Sequence, residues 1–405
     1  MDGFGSPKRL ERHASRRKAL ITKVSYGMDV KLSEEQKLIR SSAKDFLKAE
    51  VTPDVVRELE ESEEGYSPEL WEKMAELGWI GLNIPEDHDG MGMDFLDLFI
   101  LLEQMGYNLL PGPFFSTVTA AFPIVKGGSE EQKNDFLPKV SEGKLKLSLA
   151  LVETSGTFRA SDIQMEAVPE GDEYIINGTK LFVENAHIAD HLICATRTKR
   201  DDSLEHGLTL FVVDPGTPGI RVCVVPTIGL EKQCEVIFEN VRIPGANILG
   251  TLHNGWEILR DTLQRAQAGK CAEMLGGMRA ALDMTNAYVK KRMTYGKPVA
   301  AYQVVQHYLA NAWIDVELSS NLIYLAAWKI SEGLPAAKEV SAAKAWIGKA
   351  FTRVTERCVQ MHGAIGLTRE HDIGLYYRNA RAWDLAFGDS QYQREVLAGE
   401  MNFDT

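Results

Sequence analysis

The chain has 405 residues, enough for two or three packed domains rather than a single core. Its composition is that of a globular protein, and its net charge of −12 argues against a groove for nucleic acid or an anionic membrane surface. No apolar run approaches the roughly 18 residues of a membrane span, and five dispersed cysteines without a C-x-x-C pair predict reduced thiols.

Residues 1–27 differ from the rest in charge. They carry seven basic residues against Asp2 and Glu11, a net +5 that leaves −17 for the remainder. Such a leader is compatible with a transit peptide, and so with the mitochondrial matrix. It is equally compatible with a vector remnant or an upstream start codon, with Met28 as the first native residue. We favour these two readings, leave the segment out of the fold argument and predict a cytoplasmic protein.

Residues 28–145 are predicted to form an all-α N-terminal domain. The Ser-Glu-Glu-Gln sequence that begins at Ser33 is a capping box ahead of an apolar stripe. A Ser-Pro pair at 67–68 predicts a second helix start, and Gly78 is expected to end that helix. The segment 94–106 is a third helix, rich in Leu and Phe, and is therefore expected to be central.

Residues 146–254 are predicted to form a central β-barrel. Short runs rich in Val, Ile and Leu alternate with turn sequences such as Asn177-Gly178, at the spacing of a small antiparallel barrel. The predicted strands are 147–152, 173–176, 181–183, 191–196, 208–213 and 222–225.

Residues 255–405 are predicted to form a C-terminal four-helix bundle, because a helical period returns at Gly255. The predicted helices are 255–291, 301–332, 336–361 and 373–398. No P-loop and no strand-borne G-x-G-x-x-G is present, so a Rossmann fold is not supported. The predicted fold class is α+β, with a helical, a β and a second helical domain in that order.

Four segments in order resemble acyl-CoA dehydrogenases. RMTYGKP at 292–298, followed by Tyr302-Gln303, is similar to their R-x-x-F-G-x-P…F-Q segment. QMHGAIG at 360–366 resembles their Q-x-x-G-G-x-G, FGDSQ at 387–391 lies where they carry E-G-T-x-Q, and LALVETSG at 149–156 is a weakened form of their T-E-P strand loop. The resemblance spans residues 29–400. It implies FAD as cofactor, an acyl-CoA thioester as substrate, an electron-transfer flavoprotein as electron acceptor, and a homo- or hetero-oligomer.

The resemblance also implies which residues contact FAD. Arg292 corresponds to the arginine that meets the pyrophosphate, a task that suits its bidentate fork. The loop at 360–366 corresponds to one that reaches the FAD of a neighbouring subunit, and Ala364 in place of glycine is tolerable unless its φ is positive. The alternatives are a solvated arginine and a helix–loop contact without ligand. The full set of predicted cofactor residues is Val152, Ser155, Val183, Glu184, Arg292, Thr294, Gln303, Gln360, Gly363, Ala364, Asp389 and Gln391.

The catalytic base of the family is missing. Phe387 stands where most members carry a glutamate, and Ala266 stands at the alternative position on the bundle helix. Neither side chain can take a proton from the weakly acidic carbon α to a thioester. The backbone N–H of Phe387 can still polarise the thioester carbonyl, so Phe387 remains a predicted substrate-binding residue.

Three charged residues near these positions have two interpretations each. Lys270 is a predicted substrate-binding residue that meets a second carboxylate on the acyl group, and Glu273 is a candidate displaced base. The alternative for both is an i, i+3 ion pair at a helix boundary. Asp389 is another candidate base, but it is better suited to repelling a phosphate or capping a helix.

The sequence therefore predicts a flavin-dependent acyl-CoA dehydrogenase-like oxidoreductase without a metal site. The leading hypothesis is one subunit of a mixed assembly whose partner supplies the base. The alternatives are a homotetramer with a displaced acid, and a non-catalytic structural partner that binds neither FAD nor thioester.

Overall fold

The computed structural model describes residues 32–200 and 202–401, and the basic segment predicted for residues 1–27 lies outside these ranges. Two compact units make up the chain, Met1–Leu38 and Ile39–Thr405. The described part of the first contains the start of helix α1 (Glu34–Glu50). The predicted capping box is confirmed there, because the backbone N–H groups of Ser33 and Gln36 each donate to the other's side chain at 3.1 Å.

Five helices of the second unit precede the β domain. They are α2 (Pro53–Glu61), α3 (Pro68–Glu76), α4 (Phe95–Asn108), α5 (Phe114–Gly127) and α6 (Glu130–Ser141). The predicted N-cap at Ser67 is confirmed, since its hydroxyl accepts from the backbone N–H of Leu70. Helix α4 is central, as expected, because every residue from Phe95 to Gly106 is buried.

The β domain consists of two four-stranded sheets around one core. The first has the order β1 (Leu147–Ala150), β4 (His191–Arg197), β5 (Leu208–Val213) and β8 (Ile248–Leu249), with β1 parallel to β4. The second is antiparallel, in the order β2 (Ala167–Glu170), β3 (Glu173–Glu184), β7 (Gln233–Pro244) and β6 (Ile220–Val225). Both sheets contribute to the core, for example Phe211 and Phe238.

The strand predictions are wrong at four points, two of which are the unpredicted short strands β2 and β8. Strand β3 runs through Asn177-Gly178 instead of turning there, because a β-bulge absorbs the extra residue and Gly178 adopts a φ of 148°. The longest partner in that sheet, β7, was not predicted, although its buried residues alternate with more exposed ones in the manner of a half-buried strand.

The C-terminal domain is helical. Its helices are α7 (Gly255–Lys291), α8 (Gln303–Ser331), α9 (Ala337–His362), α10 (Ile373–Leu385) and α11 (Ser390–Glu400), and a short hairpin of β9 (Met293–Thr294) and β10 (Lys297–Pro298) joins α7 to α8. Helices α4 and α7 cross so closely that a Cβ on Gly276 would lie 1.9 Å from the carbonyl oxygen of Glu103. Where one helix was predicted over 373–398 there are two, because Phe387 and Gly388 adopt φ of 56° and 96°.

No helix among the described residues combines the length and apolarity that a membrane crossing requires. All five cysteines are free thiols, as predicted.

Candidate active site

A cavity of about 510 Å³ lies where the β domain meets α5, α7 and the connection between α10 and α11. Its wall is largely apolar, with Leu151, Val152, Phe158, Phe182 and Trp383 among the residues that form it. Its charged side chains are Glu184, Glu231, Lys270 and Asp389. A mostly apolar cavity with a few placed polar groups is the usual form of a small-molecule site.

The Phe387 loop forms one side of this cavity. The Phe387 ring packs against Phe115 and Phe158, with ring centroids 5.8 Å apart in both pairs. Its backbone lies in the left-handed region, which for a bulky residue is unfavourable without outside support. The side-chain amides of Gln267 and Gln393 provide that support, donating to the Phe387 carbonyl at 3.0 Å and 3.1 Å.

A buried lysine also holds the Phe387 loop in place. The Lys344 ammonium on α9 is fully buried and donates to the carbonyl oxygens of Trp383, Asp384 and Gly388 at 3.2, 2.8 and 3.1 Å. These carbonyls end α10 and belong to the Phe387 turn, so Lys344 acts as a C-terminal cap. Burial lowers the pKa of Lys344 to about 8.

A second buried lysine stands at the cavity wall inside a cluster of glutamates. Lys270 Nζ lies 2.6 Å from Glu273, 3.7 Å from Glu231 and 3.9 Å from the centre of the Phe115 ring. Glu231 also accepts a hydrogen bond from the Trp383 indole at 2.6 Å. Although burial alone would lower the pKa of Lys270, the carboxylates outweigh it and the pKa is raised. The predicted i, i+3 pair is therefore real, but it lies buried in the middle of α7 and not at a helix boundary.

Glu184 ends strand β3 and lines the cavity on the same side. Burial raises the pKa of its carboxyl to about 8, against the attraction of Lys270. Burial likewise raises the pKa of Glu273 to about 7. Three carboxyl groups thus share the field of one ammonium group, and two of them hold their protons more tightly than ordinary glutamates.

The two weak candidates for a displaced catalytic base, Glu273 and Asp389, have different surroundings. Glu273 is paired with Lys270 and does not line the cavity. Asp389 lines it but caps α11, because its carboxylate accepts from the backbone N–H of Tyr392 at 2.8 Å. Ala266 is buried one turn before Lys270 on α7. Neither Phe387 nor Ala266 presents a titratable group.

The predicted cofactor residues fall into two groups. Val152, Glu184 and Asp389 line the cavity, together with the predicted substrate residues Lys270 and Phe387. Ser155 and Gln391 are exposed and outside its wall, and Val183 points into the β core, because alternate residues of a strand face opposite sides. The remaining six, Arg292, Thr294, Gln303, Gln360, Gly363 and Ala364, lie elsewhere.

Those six residues occupy the far end of the helical domain. Arg292 follows Lys270 by 22 positions on and just after α7, which corresponds to about 33 Å along a helix. The end of α9 meets the same place, since the His362 ring stacks on Tyr288 at 4.3 Å. No described residue pairs with the exposed guanidinium of Arg292. Gly363 has a φ of 69° and open space beside it, whereas the φ of Ala364 is not positive, so the alanine there is tolerated.

Both regions fit parts of an FAD molecule. The cavity offers apolar walls to a flat ring system, and the far end offers a free guanidinium beside a glycine whose backbone is open to a phosphate.

Comparison with known proteins agrees with this architecture. Family models match in chain order: acyl-CoA dehydrogenase N-terminal domain over residues 33–144, middle domain over 148–241 and C-terminal domain over 253–401. The fold and the site define a class of protein: flavoproteins that act on CH–CH groups and consist of a helical, a β and a second helical domain. The chain belongs to the acyl-CoA dehydrogenase family, whose members are FAD-binding flavoproteins.

Individual relatives cover almost the whole chain. The caffeyl-CoA reductase-Etf complex subunit CarC of Acetobacterium woodii is 30% identical over 91% of this chain and 98% of its own. The mitochondrial long-chain specific acyl-CoA dehydrogenase of Sus scrofa is 31% identical over 92% of this chain and 87% of its own. The butyryl-CoA dehydrogenase structure from Megasphaera elsdenii superposes with a TM-score of 0.85, at 29% identity, over 92% of this chain and 100% of that one.

Sequence reasoning missed three residues that shape the site. Lys344 is a lone lysine within the small and apolar run 342–347, which is a signal for a buried cation, and it was overlooked. Gln267 follows Ala266 directly and was not considered. Glu231 lies in an irregular segment before β7, and its local sequence does not indicate a contact with Lys270.

Proposed function

We propose that this chain is one subunit of an oligomeric FAD-dependent enzyme that dehydrogenates an acyl-CoA thioester between Cα and Cβ, with a partner subunit supplying the catalytic base. One observation carries the proposal. A complete apolar cavity and a free phosphate-binding end persist about 33 Å apart on one chain, while both base positions hold Phe387 and Ala266. Predicted flavin contacts without a titratable side chain at either predicted base position fit a chain that works beside another.

The division of chemistry follows from these residues. FAD held at this site would supply the hydride-accepting chemistry for the β-hydrogen. The chain's own share is to orient and to polarise: the Phe387 loop, fixed by Lys344 and Gln267, presents its backbone N–H where a thioester carbonyl gains charge. Arg292 pairs with a phosphate of the neighbour's cofactor. The apolar wall excludes water from the weak carbon acid.

We further propose an electron-transferring flavoprotein as electron acceptor and the cytoplasm as location. The relative from Acetobacterium woodii is named as a subunit of a complex with Etf, which supports the first. The partner subunit is a second family member with an intact glutamate.

Co-expression with a neighbouring gene for such a family member tests the proposal. The expected product is a yellow mixed oligomer with equal numbers of the two chains that dehydrogenates acyl-CoA, whereas each chain alone is weak or inactive. The proposal is refuted if the chain purifies without colour, sediments only as a monomer at micromolar concentration and does not bind the co-expressed family member.

A second candidate is a homo-oligomer with its own displaced acid, which Glu184 favours because it is a cavity carboxyl with a raised pKa. Solvent deuterium washed into Cα of hexanoyl-CoA by the isolated chain, and lost in Glu184→Gln, supports this candidate over the partner hypothesis. Absence of exchange in the isolated wild-type chain rejects it.

A further inference from the structure

We propose that the buried ion pair of Lys180 and Glu153 positions the segment 152–158 of the cavity wall for the cofactor, although neither side chain lines the cavity. Both are therefore positioning residues, which act through the wall and not through contact with a ligand. The inference rests on the proposed function, because it takes FAD as the molecule that the cavity holds.

The first observation is the burial of Lys180. This residue belongs to strand β3, and its side chain is fully excluded from solvent. Its ammonium group lies 2.7 Å from Glu153 Oε1 and also donates to the carbonyl oxygen of Leu151 at 3.2 Å. A buried ammonium group requires such partners, because an unpaired charge in the protein interior is strongly unfavourable. Lys180 therefore holds the backbone on both sides of Val152.

The second observation is that Glu153 joins the two ends of a loop. Its carboxylate accepts hydrogen bonds from the backbone N–H groups of Gln164 at 3.0 Å and Met165 at 3.1 Å. Hydrogen bonds to an ionised acceptor are stronger than those between neutral groups. The loop 154–163 thus begins and ends at one carboxylate, whose charge is balanced by the ammonium group of Lys180.

The third observation is that this loop forms part of the cavity wall. Gly156 and Phe158 line the cavity, as does Val152 just before the loop. The Phe158 ring packs against the rings of Phe387 and Tyr392, at centroid distances of 5.8 and 6.4 Å. Residues behind a binding site commonly set the positions of those that contact the ligand. Loss of the ion pair should therefore displace wall residues that are themselves unchanged.

A second anchor limits that displacement to the first part of the loop. The buried guanidinium of Arg197 donates to the carbonyl oxygens of Ala160 at 2.7 Å and Ile163 at 3.0 Å. These contacts do not involve the ion pair, so residues 160–163 stay attached when the pair is removed. We expect the change to be concentrated in residues 152–159, which include the wall.

Lys180→Met tests the inference in the assembly in which the full-length chain purifies. The substitution removes the ammonium group and keeps an unbranched side chain. The apparent affinity for FAD, from titration after flavin removal, should fall by about 10- to 100-fold, the effect that supporting residues have in metal sites. Trypsin cleavage after the exposed Arg159, followed by mass spectrometry, should become faster, because this residue lies in the released part of the loop.

The matched control is Lys329→Met. Lys329 pairs with Glu339 between α8 and α9, and neither residue lines the cavity. This variant also loses a partly buried ion pair, but it should change neither the FAD affinity nor the rate of cleavage after Arg159.

Glu153→Gln keeps the inference testable if Lys180→Met does not fold. It preserves the shape of the side chain but offers one acceptor oxygen in place of two, so it should change both measurements in the same direction. Its control is Glu239→Gln, an exposed glutamate on β7 that pairs with Arg221 at the surface and should leave both measurements unchanged.

Unchanged FAD affinity in Lys180→Met, or in Glu153→Gln where that variant is the one that folds, overturns the inference. Faster cleavage does not rescue it, because the pair would then hold the loop without affecting the site. An equal loss of affinity in Lys329→Met also overturns it, since general destabilisation would explain both variants. These outcomes leave the proposed function intact, whereas a wild-type assembly that binds no FAD refutes the proposed function and the inference together.

Discussion

The Lys344 ammonium lies 3.1 Å from the carbonyl oxygen of Gly388, one residue beyond the position where the family places its catalytic glutamate. A cation buried in α9 therefore determines the backbone of the loop that faces the cavity. The loop holds Phe387 in the left-handed region, at the position where the resemblance implies a catalytic glutamate. A backbone fixed in this way suits the proposed main-chain contact to the thioester carbonyl.

Replacing Lys344 with Met should destabilise the protein by roughly 1–3 kcal/mol or more, because three buried carbonyl oxygens lose their donor. Urea unfolding measures the change. Lys338→Met, at an exposed position of the same helix, is the control and should stay within about 0.5 kcal/mol of wild type. Equal stabilities of the two variants would show that Lys344 is not a structural cap.

Arg292→Ala should weaken FAD binding by about 10- to 150-fold, the value of one charge-assisted contact of roughly 1.5–3 kcal/mol. Flavin occupancy after dialysis measures the loss. Arg369→Ala, at an exposed arginine between α9 and α10, serves as control. Unchanged occupancy in Arg292→Ala would mean that this arginine is only a surface residue.

The helices were easier to predict than the site because their signals are local. The capping box at Ser33 and the Ser67 N-cap depend on contacts three residues apart, and both form as predicted. The break between α10 and α11 was missed because the left-handed turn at Phe387 is imposed from outside, by Lys344 and Gln267. The periodicity of apolar residues in a helix does not reveal hydrogen bonds from residues that are distant in the sequence.

The predicted cofactor residues show the same limit of sequence motifs, which do not give positions in three dimensions. The motifs place Arg292 and Val152 in one predicted set of cofactor residues, but nothing in the sequence shows that Val152 lines the cavity and Arg292 does not. The glutamates around Lys270 come from β3, from the segment before β7 and from α7. Only the fold brings these glutamates together around Lys270. Their electrostatic interaction with its ammonium group could therefore not be predicted from the sequence.

Glu184 should make stability depend on pH. Burial raises its pKa from 4.5 to about 8, so the folded state binds a proton that the unfolded state releases between these values. Its contribution is fully present below about pH 4.5 and is lost as the pH rises through 8. Glu184→Gln removes the titration, and we expect a variant as stable as wild type at pH 5 but more stable at pH 9, by on the order of 1–3 kcal/mol. Urea unfolding at pH 5, 7 and 9 measures this, and parallel curves for the two proteins would contradict it.

The isolated chain should be very poor at dehydrogenating ordinary saturated acyl-CoAs. Phe387 and Ala266 stand at both predicted base positions, and a positioned base typically provides about 10²–10⁴-fold in rate. Polarisation of the carbonyl by the Phe387 N–H cannot replace it, since the α-proton still needs an acceptor. Reduction of an artificial electron acceptor with straight-chain acyl-CoAs measures the rate.

Restoring a carboxylate is the direct test of that prediction. Phe387→Glu removes a ring that packs against Phe115 and Phe158, so a loss of activity there could reflect packing. Ala266→Glu is made in parallel, because it leaves that aromatic contact intact and places the carboxylate one turn from Lys270. At least one variant should gain about 10²-fold or more over wild type if the missing base limits the rate. A wild-type chain that already turns over rapidly on its own would contradict the reading of both positions, and Glu184→Gln would then be expected to abolish its activity while Glu239→Gln would not.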